Sequence, residues 1–431
     1  MPSWLQRVAM GCAFSAALAS SAFAAPVTVT LWSWSPVAPT MKEMVAAIEK
    51  AHPDIRVHAT IEPHTAYFTA LKAAGASGTL PDLIGLPPGA FTQEYRPDLQ
   101  PLDAIAADAW GADWQKNLAP ALLTQARLGN PKGDQQFYML PMEAEVLNLW
   151  YDRAAFTKAG IASPPASFDD LVSDAAKLRK AGYIGFYQGG GTPLFDNWVY
   201  MQIAAQTDLE GLLAVENGAP EWNRPGLLAA AKMWQRLFTE HVVQPGALSA
   251  LQYPTGANLF AAGRVGMISL GSWWLQETHL SKDESLTTMS GYGKFFFPAV
   301  TAGGSASPPL GGVDIGWGLT RNAARSPDVE RAAEVVLKEL ISGVGVQVAI
   351  DQLNDLPAFS GVAPEPELTG HLKALFDTYI TELGTAHPHQ IGNPVIYNAL
   401  AANLQAIGAG TKTPEAALEA VQKVAEGQAA N

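Results

Sequence analysis

A single cysteine, Cys12, occurs in the 431 residues. With no second thiol the chain closes no internal disulfide, and once the leader carrying Cys12 is removed no thiol nucleophile is left. Cations are also scarce: 27 Lys and Arg stand against 40 Asp and Glu, a formal charge of −13. That balance repels a phosphate backbone, and no Lys/Arg stripe offsets it, so nucleic-acid binding is excluded. Past residue 26 no apolar run is long enough to span a bilayer. Enzyme signatures are missing as well: there is no G-x-S-x-G elbow, no G-x-x-x-x-G-K-[ST] loop and no H-E-x-x-H helix. The glycine runs at 189–191 and 311–312 lack the dinucleotide fingerprint, and nothing in the chain calls for a cofactor. His387-Pro388-His389 has the residue type for a metal but reads as ordinary polar surface.

At the N-terminus, Arg7 precedes an apolar stretch that closes on Ala22-Phe23-Ala24. This three-part pattern predicts a secretory signal peptide cut after Ala24, hence a periplasmic protein. The stretch is interrupted by serines and a glycine and falls short of the roughly 20 residues of a membrane anchor. Cys12 lies inside it, too early for a lipoprotein cysteine. Cleavage removes Arg7 and Cys12 and moves the charge to −14. What is left must stand on a large apolar core alone, and its length predicts two lobes.

In VTVTLWSWSP, Val27, Val29 and Leu31 alternate as a strand that ends in Trp32 and Trp34, where Pro36 and Pro39 stop it. Met41, Met44, Val45 and Ile48 then recur at i, i+3, i+4 and i+7, a helix that Pro53 terminates. IRVHATI and PDLIGL follow as strands around a small-residue helix. Strand, helix and strand in this rhythm predict an α/β fold with crossover helices. The grammar restarts with YMLPMEAEVLNLWYD, which carries two apolar runs, and with a helix that Ser167 and Asp170 open at capping-box spacing. Ser326-Pro327 and Thr413-Pro414 announce two later helices. No repeat, linker or low-complexity tract interrupts the chain.

The tryptophans are placed unusually. Trp34, Trp198, Trp273, Trp274 and Trp317 all stand beside turn signals, near Asp196, Asn197, Gln276 and Asp314. Trp110, Trp150, Trp222 and Trp234 lie in helix or strand patterns and are expected in the core. A sugar offers an apolar C–H face and a belt of hydroxyls, so its site wants indole faces with carboxylates or amides at their rim. The same groups could make a cation box for a polyamine. Glu143, Glu145, Asp196 and Asp314 also have the residue type of a glycosidase pair, a third reading whose carboxylate separation the sequence does not contain.

Over nearly its whole length the chain resembles the extracellular solute-binding proteins of ABC importers, the sugar-binding family that includes the maltose-binding protein. The resemblance rests on the order and spacing of VTVTLWSW, AHPDIRV, AAGASG, PDLIGL, LQPLD, FYMLPMEAEVLNLWYDRAAFTKAGI, PPASFDDL, LFAAGRVGMISLGSWW, GGVDIGWGLTRNAARSPD and LPAF. It implies a two-lobed periplasmic binding protein fold, type II, each lobe a mixed sheet flanked by helices, closing by hinge bending on a ligand between them. Carried over, the first lobe takes residues 25–142 and 316–357, and the second takes 147–310 and 367–431. The crossings fall at 143–146, 311–315 and 358–366. The partners implied are a mono- or oligosaccharide and the permease subunits, for a monomer without catalysis.

The resemblance also implies a ligand set. Glu145 matches a cleft carboxylate and Glu143 flanks it; Trp273 matches a stacking tryptophan, with Trp274 beside it; Tyr397 in NPVIYNAL matches an aromatic platform. Trp198 or Phe195 in PLFDNW matches an aromatic-bearing loop. Trp34 is expected to face the cleft and Trp32 to pack under the lobe. After PDLIGL the chain departs from the maltose-type pattern with Leu86-Pro87-Pro88-Gly89-Ala90, which puts maltose itself in doubt; His64 and Tyr67 are expected to supply polar contacts instead.

Overall fold

Val29 and Leu31 are fully buried while Thr28 and Thr30 turn outward, and this alternation seats strand β1 (Val27–Ser33) in a sheet. The computed structural model describes residues 25–128 and 135–429, so the leader and its cut at Ala24 lie outside the described residues. After β1 come β2 (Ile55–Ile61), β3 (Leu83–Leu86), β4 (Leu140–Asp152), β5 (Ile184–Tyr187), β6 (Val265–Gly271), β7 (Tyr292–Phe295), β8 (Gly311–Leu319) and β9 (Leu356–Pro357). The path through the sheet is β2-β1-β3-β8-β4-β6-β5, with β7 and β9 both added onto β4. Strands β2, β1 and β3 run parallel, and β8 returns antiparallel to β3.

The two apolar runs read in YMLPMEAEVLNLWYD form one strand. From Leu140 to Val146 β4 pairs with β8, and from Leu147 onward it pairs with β6, so it changes partners between Val146 and Leu147. Only Tyr151 in β4 escapes full burial, because β4 is paired on both edges and covered on both faces. Glu143 and Glu145 are therefore carried into the interior by the backbone that surrounds them.

The helices sort into the halves on either side of that change. Helix Ala38–Ala51 buries Thr40, Met41, Met44 and Ile48 and packs against helix Val344–Leu353, which brings late sequence back to the first half. Helices Pro394–Gly408 and Pro414–Ala429 return to the second half against helix Pro225–Thr239. The helix starts follow the chemistry expected of them. Ser167 Oγ accepts from the Asp170 N–H at 3.1 Å while the Asp170 carboxylate accepts from the Ser167 N–H at 3.0 Å. Ser326 Oγ and Thr413 Oγ1 accept from Val329 and Ala416 N–H.

In the first half, buried Asp82 holds the Thr30 N–H and hydroxyl at 2.8 Å each and is paired by Arg325. Trp32 packs against the core of the first half, half-buried, and its outer edge lines an open groove with Leu80, Pro81 and Asn322. Trp150, Trp222 and Trp234 are fully buried as core, whereas Trp110 is half-buried and donates to Ser342 Oγ at 2.6 Å.

Candidate functional site

Beyond the end of β1, Trp34 lies against three rings of the next helix, His64–Ser77: His64 at 5.8 Å, Tyr67 at 5.5 Å and Phe68 at 5.3 Å between centroids. Positions 64, 67 and 68 share one helical face, so one turn presents all three. Tyr67 is locked inside, its hydroxyl donating to Gly85 O at 2.6 Å. Burial lowers the His64 pKa to about 4, which leaves that ring neutral. The row continues through Phe68–Phe91 at 5.0 Å to Phe91–Tyr397 at 5.5 Å. Tyr397 belongs to helix Pro394–Gly408 of the second half, so this contact bridges the halves. Beside it the Ala90 N–H donates to Ile391 O at 2.8 Å.

A second aromatic wall belongs to the second half. Phe195 and Trp198, three apart on helix Pro193–Thr207, meet at 5.3 Å, and Trp198 meets Trp273 at 5.3 Å. The Trp273 indole N–H donates to the Tyr253 hydroxyl at 2.9 Å, and Phe195 lies 6.3 Å from that ring. Asp196, fully buried, accepts from Gln188 Nε2 at 2.9 Å and Gln405 Nε2 at 2.7 Å. Burial lifts its carboxyl to about 6 against the pull of those two amides.

Beside the second wall lies an acidic floor, joined to it by His389, which packs on the Trp198 ring and meets Glu145. Glu143 sits opposite Ile315 of β8 and Pro357 of β9, which sets Asp314 and Asp355 on the flanking strand segments. Burial raises Glu143, Asp314 and Asp355 well above the carboxylate range, and repulsion from neighbouring acids adds to it: Asp314 on Glu143, Glu145 on Asp314, and Glu143 with Asp314 on Asp355. Glu145 is raised by burial alone, and its Oε1 lies 2.7 Å from His389 Nε2. Gln125 closes a relay. Its Oε1 accepts from the Val313 N–H at 2.6 Å, which turns its Nε2 toward His389 Nδ1 at 3.0 Å. Gly312 permits this approach, since a Cβ there would collide with Gln125 Oε1. Burial pushes the His389 ring down to about 3.

Of the residues singled out from sequence, the first wall holds Trp34, His64, Tyr67 and Tyr397, and the second holds Phe195, Asp196, Trp198 and Trp273. Glu143, Glu145 and Asp314 form the floor. Trp274 does not join them: it is fully buried and packs against Phe260 at 5.2 Å and Tyr292 at 6.4 Å, in the core of the second half. Trp317, read beside a turn, is enclosed within β8, and Trp198 stands on a helix where a loop was expected. His389 overturns its surface reading. It has no exposed area, lies 5.6 Å from the Trp198 ring and joins Glu145 to Gln125. Phe68, Phe91, Gln125, Tyr253 and Asp355 join the site as well. Only Phe68, one residue after Tyr67, had a local signal.

Two α/β halves joined through shared strands, facing each other across aromatic walls and an acidic floor, define a two-lobed periplasmic binding protein of type II. Residues 33–342 match the family described as bacterial extracellular solute-binding protein, and the chain belongs to that family. A Brucella abortus (strain 2308) protein with only a general binding-protein name is 29% identical over 255 residues. That alignment covers 58% of this chain and 59% of the relative, so the match spans about three fifths of the relative's length. The galactooligosaccharide-binding protein of Bacillus subtilis (strain 168) is 20% identical over 395 residues, 90% of this chain and 86% of that one. Among solved structures, a chitin oligosaccharide binding protein superposes with a TM-score of 0.77 at 24% identity, covering 94% of this chain and all of that chain.

Proposed function

We propose that the protein captures a mono- or oligosaccharide between its lobes and delivers it unchanged to the permease of an ABC importer. In this reading it is exported to the periplasm with cleavage after Ala24 and works as a monomer without catalysis. The observation that carries it is the pairing of two aromatic walls with unsatisfied buried carboxyls: both Glu143 oxygens and Glu145 Oε2 lack a hydrogen-bond partner. Indole and phenyl faces suit the C–H face of a pyranose, and the carboxyls suit its hydroxyls. The oligosaccharides named for the Bacillus subtilis relative and for the superposed structure support the same class. We assign the hinge to 143–146, 311–315 and 358–366; the partner change of β4 after Val146 supports the first of these.

Closure is then a population shift driven by a ligand that touches both walls at once. Intrinsic tryptophan fluorescence titrated with mono-, di- and oligosaccharides tests the reading. A saturable change with the sugar recovered intact supports it. Sugar cleavage, or silence toward every sugar, overturns it.

A further inference from the structure

We propose that Glu145 meets the sugar as a neutral carboxylic acid, donating a hydrogen bond through Oε2, and that Gln125 and His389 are the positioning residues that fix this polarity. This rests on the carbohydrate reading above and narrows it to the sense of one contact.

A backbone N–H can only donate, and that sets the direction of every bond after it. The Val313 N–H lies 2.6 Å from Gln125 Oε1, so the amide nitrogen at the other end, Nε2, is the atom that faces His389 Nδ1 at 3.0 Å. An amide nitrogen likewise only donates, so Nδ1 keeps its lone pair and the ring proton stands on Nε2. His389 is therefore a neutral imidazole by its hydrogen bonds alone, and its Nε2–H meets Glu145 Oε1 at 2.7 Å. Oε1 is thus the accepting oxygen, and Oε2 is left buried with no partner.

The state of Glu145 follows from what surrounds it. Gln125, His389 and Glu145 are each no more than 1% exposed. Among the described residues the only ion-pair geometry at Glu145 is with His389, which carries no charge. The acid that feels Glu145 from β8 is Asp314, and it repels a charge there rather than relieving it. A carboxylate so enclosed, with one neutral donor, costs more than the acid form, and burial holds its pKa well above the carboxylate range. Because Oε1 already accepts, the proton stands on Oε2.

The same bonds place this donor. The His389 ring lies 5.6 Å from Trp198, which meets Trp273 at 5.3 Å, so the Glu145–His389 pair stands beside the second wall. Glu145 is paired with Gly312, next to Val313, so the chain of bonds starts and ends on β8 and β4. Between them it runs through helix Pro120–Leu128 and the segment ahead of helix Pro394–Gly408. The sugar atom at Oε2 is then read as an acceptor, a hydroxyl, ring or acyl oxygen.

Spectra of the purified, ligand-free protein test the polarity. Between about pH 5 and 8, where an ordinary Glu is ionised, the infrared spectrum should keep a carboxylic C=O band that Glu145→Gln removes. Nitrogen-15 spectra should show His389 as the neutral Nε2–H tautomer over the same range, and Gln125→Leu, which removes the donor at Nδ1, should give a mixture of tautomers. Calorimetry with cellobiose, maltotriose, galactobiose and N,N′-diacetylchitobiose then reads the contact. For any of these that binds, Glu145→Gln should stay within about threefold of native affinity, since an amide accepts from His389 and donates to the sugar in the same sense, while Glu145→Ala should weaken it about tenfold. Loss in Glu145→Gln as large as in Glu145→Ala, or no such C=O band, overturns the donor role and leaves the carbohydrate reading standing. An imidazolium or Nδ1–H ring in the native protein, or an unchanged tautomer in Gln125→Leu, overturns the positioning roles. The native His389 spectrum decides the polarity if a substituted chain does not fold. Native protein silent toward all four sugars rejects the contact itself.

Discussion

His389 Nε2 lies 2.7 Å from Glu145 Oε1, across 244 residues of sequence. Gln125 sets the direction of that bond. Its amide nitrogen faces His389 Nδ1, so Nδ1 accepts and Nε2 carries the proton toward Glu145. The bond ties the crossing strand β4 to the segment ahead of the helix that bears Tyr397.

Replacing His389 by alanine leaves Glu145 Oε1 buried without its donor. The expected loss is about 1–3 kcal/mol of unfolding free energy, read by denaturant titration. Glu145→Gln should cost less, because an amide oxygen still accepts the imidazole proton. Losses that simply add in the double variant would show that the pair is not coupled as described.

Trp273 contributes a ring to the second wall and a donor to Tyr253. Trp273→Ala is expected to weaken sugar binding by about 1–3 kcal/mol, measured by calorimetry, through lost stacking and lost exclusion of water. Trp274→Phe, altered in the core against Phe260, should leave affinity near the native value while lowering the melting temperature. An affinity loss from the second and not the first would exchange the two assignments.

Stability should depend on pH in a direction set by the buried acids. Burial raises Glu277 from 4.5 to about 7, so between those values the folded state binds a proton that the unfolded chain has released. Its contribution is complete below pH 4.5 and is lost as pH rises through 7. Glu143, Glu145, Asp314 and Asp355 are shifted in the same direction. His64 and His389, lowered to about 4 and about 3, act oppositely: folded they are neutral where the unfolded ring is charged, so their term rises with pH and levels off above 6.5. Above 6.5 the acids alone remain. The melting temperature of ligand-free protein should fall from pH 6.5 to 8, and Glu277→Gln should reduce the fall; a rising melting temperature over that range would contradict the assignment.

Gly89 has φ +69°, and a Cβ there would lie 2.8 Å from Ile391 O, the carbonyl that Ala90 N–H engages between the lobes. Gly89→Ala should strain the turn and crowd the closed contact. We expect a larger radius of gyration with saturating ligand than for the native protein, by small-angle scattering, together with weaker binding. Unchanged scattering would mean that this contact does not limit closure.

Local chemistry was legible wherever neighbours in sequence decide the outcome. Period-two burial in β1, the helix Ala38–Ala51, the capping box at Ser167 and the caps at Ser326 and Thr413 all follow from residues within a turn or two of each other. The order of motifs likewise carried the family, because spacing along the chain reflects the fold as a whole. Separation of Trp273 from Trp274 could not be read, since adjacent residues on a tight turn can face opposite sides and only the packed core against Phe260 distinguishes them. His389 is illegible locally for a related reason: its polar, proline-flanked neighbours say surface, while its partners Gln125 and Glu145 lie 264 and 244 residues away. Sequence by itself determined the elements and the family. Tertiary structure decided which acids lie buried without a cation and which rings face them, because burial and charge balance depend on segments that meet only when the two lobes are assembled.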